Sequence, residues 1–316
     1  MFQWIIGKVA YLSTWFGFEI GCRLANCFPL AALWLADRLA TISFSCFHGF
    51  RNRSIGNIRI ALGDRVDPSA IELTARRSLR SFFRACVEVA VAVNSSDDEL
   101  RARIALVGQE NLDAALAKGH GVLMLSAHLG SFFMLGGRLA IDGYLTSVLV
   151  NQPRDGRFAE LMDDYRLRAK QRTIYARPRR EALKELNAVL RHNQVAIIIA
   201  DEFRKGKGVE VPFFSGTVIS RRGPVTVALR TGAAIVPAYL VRQADDSLKL
   251  IIEPELALER GSKGNAKIRE NTARLAQWLE RTVRAYPGQW NWMNIRHWAG
   301  RGEKSLNQQQ PLKRAV

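Results

Sequence analysis

A histidine stands at the point in the sequence where an α/β protein places a reactive group. His128 follows residues 122–126, an apolar run that is too short for a helix and is typical of a buried strand. Ser131 then predicts a helix N-cap. Ligands of open α/β sheets bind at the carboxyl ends of the strands, where a histidine can take a proton from a hydroxyl and helix N-terminal amides can hold an oxyanion. A structural or merely exposed histidine stays open, because one residue is not a constellation.

The segments around this histidine alternate between short apolar runs and helical patterns. Asp67 and Pro68 predict the capped start of a long helix. Strands are predicted at 122–126, 146–150, 173–175, 195–200, 234–241 and 248–253, and helices at 111–118, 131–139, 158–170, 180–191, 225–230 and 266–286. Strands separated by helices of this length favour parallel pairing through right-handed crossovers. The sequence therefore predicts an α/β fold with a mostly parallel sheet flanked by helices.

Composition indicates a globular chain with an unusually strong positive field. The 316 residues carry a formal net charge of +17, which attracts anionic lipid surfaces, nucleic acid or acidic proteins. No nucleic-acid recognition module accompanies that charge, so we expect no nucleic-acid partner. The four cysteines lack paired spacing and lie among apolar residues, so we expect buried thiols rather than zinc ligands or disulfides; they are Cys22, Cys27, Cys46 and Cys86.

Residues 1–50 form the most apolar part of the chain. Charged residues such as Glu19 and Asp37 interrupt it before any run reaches the roughly 18 apolar residues that a membrane span needs. Aromatic residues among these charges suit helices that lie in the membrane interface, although a buried helical pair has the same pattern. We predict a membrane-associating region over 1–50, a main domain over 51–300 and a polar, disordered tail over 301–316.

Several further blocks resemble one protein family when taken in order. They are GVLMLSAHLG (121–130), ADE (200–202), GVEVPFFSG (208–216), GP (223–224), ALRTGAAIVP (228–237) and QWNW (289–292). Agreement of successive blocks over about residues 50–298 is far more specific than any single motif. The chain resembles the bacterial lipid A late acyltransferases, within the lysophospholipid acyltransferase-like superfamily, and this resemblance implies a glycerolipid acyltransferase-like fold.

The resemblance implies transfer of a fatty acyl chain to a hydroxyl of a lipid acceptor, most simply a lipid A precursor or related glycolipid. The donor would be a thioester of acyl carrier protein or coenzyme A, and no cofactor or metal would be needed. The implied place is the anionic cytoplasmic face of the bacterial cell inner membrane. His128 would be the general base, Asp201 a supporting acid, and Arg166 or Arg168 a cation near the acceptor phosphate or the donor.

Other residues in these blocks allow two interpretations each. Phe213 and Phe214 could line an acyl-chain groove or pack in the core. The C-terminal tryptophans could lie at a membrane interface or in the core; they are Trp290, Trp292 and Trp298. A dense basic cluster could bind phosphate or an acidic carrier protein, or could be a solvated face; it comprises Arg166, Arg168, Lys170, Arg172, Arg177, Arg179 and Arg180.

One position departs from the family pattern. The family places an acid five residues after the histidine, where it can orient the imidazole, but this chain has Phe133. Either Asp201 or Glu202 approaches His128 in space, or the histidine acts without a carboxylate partner, or catalysis has been lost. The last alternative predicts a weakened family member that binds lipid or carrier protein as a scaffold.

Overall fold

The computed structural model describes residues 19–63, 66–153, 156–203, 205–259 and 264–299. The first 18 residues of the expected membrane-associating region, and the expected tail over 301–316, lie outside the described residues.

The helices and strands follow one another in an alternating order through most of the chain. The helices are α1 (Glu19–Cys27), α2 (Pro29–Cys46), α3 (His48–Leu62), α4 (Pro68–Ala92), α5 (Asp97–Arg103), α6 (Gln109–Leu116), α7 (Leu135–Ala140), α8 (Gly156–Arg168), α9 (Arg179–Arg191), α10 (Gly223–Thr231) and α11 (Gly264–Ala285). The strands are β1 (Ile104–Val107), β2 (Val122–Ser126), β3 (Thr146–Val150), β4 (Arg172–Tyr175), β5 (Val195–Ile199), β6 (Val209–Phe213), β7 (Gly216–Ser220), β8 (Ala234–Arg242) and β9 (Leu248–Ile252). Short 3-10 turns occupy Phe132–Met134 and Trp292–Asn294.

Seven strands form one sheet in the order β1-β9-β8-β2-β5-β3-β4. Every neighbouring pair is parallel except β8 and β9, which are antiparallel. The predicted mostly parallel sheet flanked by helices is therefore confirmed. Strand β1 and the separate antiparallel hairpin β6-β7 were not predicted. Strand β1 is an apolar run of only four residues, and Glu210 and Pro212 interrupt the apolar residues of β6.

Strand β2 lies inside the sheet and is buried on both faces. Leu123 and Leu125 pack into a core with α9, α10 and α11, whereas Val122 and Met124 pack into a second core with α6 and α7. A strand that is covered on both faces has no side chains that point to solvent, so its sequence does not alternate between apolar and polar residues. Because β2 is the central strand of the sheet, the residues that follow it lie in the middle of the edge formed by the carboxyl ends of the parallel strands.

The described part of the expected membrane-associating region includes helices α1 and α2. Within the described ranges no single helix is both long and apolar enough to cross a bilayer, although α1 and α2 together meet that measure across a bend of 115°. Ala36 and Phe44 of α2 are buried, and the carboxylate of Asp37 accepts hydrogen bonds from the guanidinium groups of Arg80 and Arg84 on α4. Thus α2 is attached to the domain by one face, while its other face is exposed.

Burial corrects the expectation from the sequence about the cysteines. Only Cys22 is buried, and Cys27, Cys46 and Cys86 are exposed, so the expectation of four buried thiols is wrong for three of them. Apolar neighbours in sequence did not predict burial, because the exposed face of an apolar helix carries the same residue types as its packed face.

Candidate active site

His128 and Asp201 come together because their strands are neighbours in register. Ser126 at the end of β2 is paired with Ile199 at the end of β5. His128 and Asp201 each lie two residues beyond those paired positions, and their side chains meet with His128 Nδ1 2.6 Å from Asp201 Oδ1. Of the alternatives left by Phe133, the one in which another carboxylate reaches His128 is therefore observed, and that carboxylate is Asp201.

The Asp201 carboxylate is fully buried and accepts several hydrogen bonds. Its Oδ2 accepts from the His128 backbone N–H at 2.8 Å, from Trp290 Nε1 at 2.7 Å and from Asn294 Nδ2 at 3.1 Å. Burial alone would raise the pKa of Asp201, but the charge on His128 and these hydrogen bonds outweigh it and lower that pKa below its ordinary value. Asp201 is therefore ionised at neutral pH.

The ionised carboxylate sets the protonation pattern of the imidazole. An ionised carboxylate can only accept, so Nδ1 of His128 must carry the proton in the hydrogen bond to Asp201. The basic lone pair of the neutral ring then lies on Nε2. About a quarter of the His128 side chain is exposed, so the ring is accessible while Asp201 is not. This arrangement suits a general base that is oriented by a buried acid.

The backbone after His128 takes a tight path that is closed by hydrogen bonds. Gly130 has a φ of +56°, and a Cβ there would lie 2.2 Å from the Leu240 carbonyl oxygen, so only glycine fits. The N–H groups of Gly130 and Ser131 donate to the carbonyl oxygens of Gln289 and Leu240. Because these two amides already donate to backbone carbonyl groups, they do not form the expected oxyanion site at a helix N-terminus.

Ser131 has a different role from the predicted helix cap. Its hydroxyl donates to the buried Glu88 of α4, and Glu88 also pairs with Arg242 at the end of β8. A short 3-10 turn follows Ser131 instead of a helix that would require a side-chain cap. The hydroxyl therefore attaches the His128 turn to α4.

The C-terminal tryptophan block (289–292) is hydrogen-bonded to helices α3 and α4. The Ser78 hydroxyl of α4 donates to the Trp290 carbonyl at 2.5 Å, and Asn57 of α3 donates to the Trp292 carbonyl at 2.7 Å. Trp290, Trp292 and Trp298 are all buried, so the core interpretation of these residues is the one observed. The sequence had marked Trp290 through the QWNW block but did not predict its hydrogen bond to Asp201, and Asn294 is a site residue that the sequence analysis did not name.

A pocket of about 460 Å³ opens beside His128 on the α7 and α8 side of the sheet. Most of its wall is apolar, including Phe132, Phe133, Val148, Leu149, Ile197 and Ile199. Its polar groups include Arg166, Glu202, Asn291 and Asn294. The pocket thus combines an apolar cavity with a few hydrogen-bonding groups close to the histidine, as small-molecule sites usually do.

The structure shows which of the substrate-binding residues suggested by the sequence line the His128 pocket. Arg166 lines the pocket and is held by Asp163 at 3.0 Å, whereas Arg168 pairs with Glu19 of α1 at 2.5 Å and does not line it. Glu202 lines the pocket next to the buried Asp201. Within the described ranges, no three His, Cys, Asp or Glu side chains gather as metal ligands.

Phe213 and Phe214 do not line the His128 pocket. Phe213 is fully buried, with its ring 4.9 Å from that of Phe203 and 5.9 Å from that of Trp290. Phe214 packs against Trp292 and lies beneath the guanidinium group of Arg284. The hairpin β6-β7 turns both rings toward α11 and the tryptophan block, so their observed role is packing.

Phe133 is part of the pocket wall. Its ring stacks on Phe132 with centroids 4.0 Å apart, and the Phe132 ring meets the His128 imidazole edge-on at 4.9 Å. The Tyr165 hydroxyl donates to the Phe133 carbonyl at 3.2 Å. Position 133, where the family pattern has an acid, therefore carries an apolar side chain in this chain. The carboxylate next to His128 is that of Asp201, two residues beyond the end of β5.

Comparison with known proteins shows the family of the chain. The family model for bacterial lipid A biosynthesis acyltransferases matches residues 1–298. The chain belongs to this family. The match includes His128, Asp201 and the tryptophan block, so the whole site described above lies inside the family region.

Two kinds of relative within or near this acyltransferase family are similar to the chain. The lipid A biosynthesis palmitoleoyltransferase of Escherichia coli (strain K12) is 24% identical over 302 residues, which cover 90% of this chain and 91% of the relative. The phosphatidylinositol mannoside acyltransferase of Mycobacterium tuberculosis (strain ATCC 25618 / H37Rv) is 28% identical over 196 residues. That second match spans 61% of each chain, so it covers less than two thirds of the mycobacterial relative.

Proposed function

We propose that this chain is an acyltransferase that moves a fatty acyl group from an acyl thioester to a hydroxyl of a lipid acceptor. The observation that carries the proposal is the His128–Asp201 pair, joined at 2.6 Å, in which His128 lines a pocket with more apolar than polar wall residues. A hydroxyl is a weak nucleophile until a base removes its proton, and a fatty chain needs an apolar cavity. Membership of the acyltransferase family supports the same reaction.

The proposed reaction proceeds by direct attack. His128 Nε2 takes the proton of the acceptor hydroxyl as its oxygen bonds to the thioester carbonyl carbon, which gives a tetrahedral oxyanion. Collapse of this intermediate breaks the C–S bond and forms the ester, and the departing thiolate takes the proton from the imidazolium. Asp201 stabilises the imidazolium between these steps because its buried carboxylate stays ionised beside Nδ1.

The negative charge of the intermediate needs hydrogen-bond donors other than the amides after His128. Arg166, Asn291 and Asn294 present donor groups in the pocket. We assign the oxyanion, or the phosphate of a bound substrate, to this group of donors. Arg166 is the better candidate of the two arginines suggested by the sequence, because Arg168 is held by Glu19 outside the pocket.

The proposed acceptor is a lipid A precursor or a related glycolipid, and the proposed donor is acyl carrier protein or coenzyme A thioester. The names of the two relatives, which refer to lipid A and to phosphatidylinositol mannoside, support a glycolipid acceptor. The test is incubation of the purified full chain with both donors and with a lipid A precursor, a phosphatidylinositol mannoside and a lysophospholipid. Mass spectrometry should show one added acyl chain on a glycolipid, and thioester hydrolysis alone would overturn the proposal.

We place the protein on the cytoplasmic face of the bacterial inner membrane. Large apolar side chains are exposed on α1, on α2 and beside them, including Ile20, Leu24, Phe28, Leu30, Trp34, Leu35, Leu39, Ile42 and Phe47. A set this large on one helical pair is typical of insertion into an apolar phase. The net charge of +17 would add attraction to anionic lipid headgroups.

Replacing three of these side chains should weaken membrane binding. We expect the triple variant Leu30→Ser, Trp34→Ser, Ile42→Ser to bind anionic vesicles at least a hundredfold less tightly, because each inserted side chain contributes about 1.5 to 3 kcal/mol. A vesicle sedimentation assay at low and high salt measures this loss. The matched control changes Val107, Leu145 and Leu167 to Ser, since these are exposed apolar residues elsewhere on the chain. Equal losses in the two triple variants would contradict the assignment.

A second candidate function is that of a weakened family member that binds lipid or carrier protein as a scaffold. The observation that favours it is Phe133, which replaces the acid of the family pattern. The carboxylate of Asp201 beside His128 favours the enzyme instead.

Substitution of Phe133 distinguishes these two functions. We expect Phe133→Glu to lower kcat/KM about 5- to 150-fold, because it places a carboxylate in the apolar wall beside the bound acyl chain, at a cost of about 1 to 3 kcal/mol. Phe133→Leu keeps the wall apolar and should retain most of the activity. Transfer assays with both variants measure the difference. A clear gain of activity in Phe133→Glu would favour the weakened member.

A further inference from the structure

A second large cavity lies on the opposite face of the sheet from the His128 pocket. It is a groove of about 640 Å³ between α9 and α10, closed at one end by the turn Gly119 to Gly121 that precedes β2. Its cationic side chains come from both helices: Arg179 and Arg191 from α9, and Arg222 and Arg230 from the start and end of α10. None of these four belongs to the proposed reaction.

The arginines of the groove are gathered around one cavity without a carboxylate among them. The groove lining contains no Asp or Glu. In the described part of the chain, the four guanidinium groups make no hydrogen bond or ion pair, and the same holds for scattered surface arginines such as Arg103 and Arg269. The groove differs because four such arginines line one cavity. Like charges gathered around one cavity repel each other, so the groove is suited to an anionic ligand that supplies the missing partners.

The spacing of the arginines favours an elongated ligand. Arg179 and Arg191 begin and end α9, and a rise of about 1.5 Å per residue separates them by about 18 Å. That length equals about three turns of a helix, so carboxylates on one face of an acidic helix could meet arginines at both ends. A compact phosphate group or the clustered phosphates of a nucleotide would reach only one end.

One end of the groove lies at the same edge of the sheet as His128. Arg179 follows β4, and the carboxyl end of β4 shares an edge of the sheet with the ends of β2 and β5. Beside Arg222, the side chain of Arg221 donates to the Lys207 carbonyl at 3.2 Å, within the loop that leads away from Asp201. A protein seated in the groove would therefore be held next to the edge that carries His128.

We propose that the α9-α10 groove docks an acidic helix of the protein that carries the acyl thioester. This proposal rests on the proposed function, because it assigns the donor a protein carrier and a place on the enzyme. The carrier would bind through carboxylates on the helix paired with Arg179, Arg191, Arg222 and Arg230, and its prosthetic arm would reach over the sheet edge to His128. Charge complementarity argues for an acidic protein.

The test compares two double charge reversals in the full-length protein. Arg191→Glu with Arg230→Glu changes the groove, and Arg103→Glu with Arg269→Glu is the control, because those two arginines are exposed and lie outside it. Both variants change the net charge equally. Binding of purified holo acyl carrier protein, which has no acyl chain, is measured by fluorescence anisotropy. Transfer kinetics are then measured with acyl carrier protein and with coenzyme A thioesters.

We expect the groove variant to bind the carrier at least about tenfold more weakly, with a higher KM for the carrier thioester and an unchanged kcat, while the control stays within about twofold. Its KM for the coenzyme A thioester should stay unchanged. Equal effects in both variants, or a loss confined to the coenzyme A donor or to binding of anionic vesicles, would overturn the proposal. Weakened carrier binding without transfer by the parent protein would instead retain the groove and reject the proposed function.

Discussion

His128→Ala is expected to lower kcat for acyl transfer by about 10² to 10⁴, because the acceptor hydroxyl loses the base that removes its proton. The ring lines the pocket and about a quarter of its surface is exposed, so its removal leaves no large hole in the core. Asp201 keeps hydrogen bonds from the His128 backbone, Trp290 and Asn294. The thermal unfolding midpoint should therefore change little.

The measurement is single-turnover transfer from a thioester donor, together with a thermal unfolding curve in the same detergent. His192→Ala is the matched control, since His192 is an exposed histidine at the C-terminal end of α9 and its ring bonds only to a carbonyl of its own helix. If His128→Ala keeps the parental rate, the proposed mechanism is wrong. If it unfolds the protein, the histidine has a structural role that its exposure does not suggest.

Asp201→Asn is expected to lower the rate on the order of 10⁴-fold, by analogy with the loss of the orienting aspartate in serine-protease triads. The reason is the hydrogen-bond pattern. Oδ2 of Asp201 accepts three hydrogen bonds, so the single oxygen of an asparagine should take that position. The amide NH₂ then faces His128 Nδ1, which must become an acceptor, and the ring proton moves to Nε2, where the base is needed.

This exchange of tautomers gives a readout that a purely structural role would not change. Nitrogen chemical shifts of labelled His128 should move from a protonated Nδ1 in the parent to a protonated Nε2 in Asp201→Asn, with the fold retained. Asp201→Ala should instead destabilise the protein by about 3 to 5 kcal/mol, because buried donors lose their charged partner. Glu202→Gln is the comparison, and we expect a smaller effect on rate, since Asp201 already accepts from Nδ1.

The double variant tests whether the two residues act as one unit. Groups that act together are strongly non-additive, so His128→Ala with Asp201→Asn should be no slower than the slower single variant. Fully additive losses would mean that Asp201 contributes to catalysis without acting through His128.

Much of the fold could be predicted because its pattern is local. Alternating apolar runs and helical segments indicate parallel strands with crossover helices, and Asp67 caps α4 through a 3.0 Å hydrogen bond from Ser69, as the Asp-Pro pair predicts. Other features depend on what covers a segment. Trp290 and Phe213 have the same aromatic character as the exposed Trp34, and only packing determines that the first two are buried.

The sequence by itself determined the α/β class and the position of His128 after a buried strand, and resemblance to a family gave the expectation that Asp201 supports this histidine. Each of these depends on a short stretch of chain. Only the tertiary structure decided that β2 and β5 are neighbours in a register that joins His128 to a carboxylate 73 positions away. It also decided that Arg166 rather than Arg168 enters the pocket, because strand order and helix packing are set by contacts between distant segments.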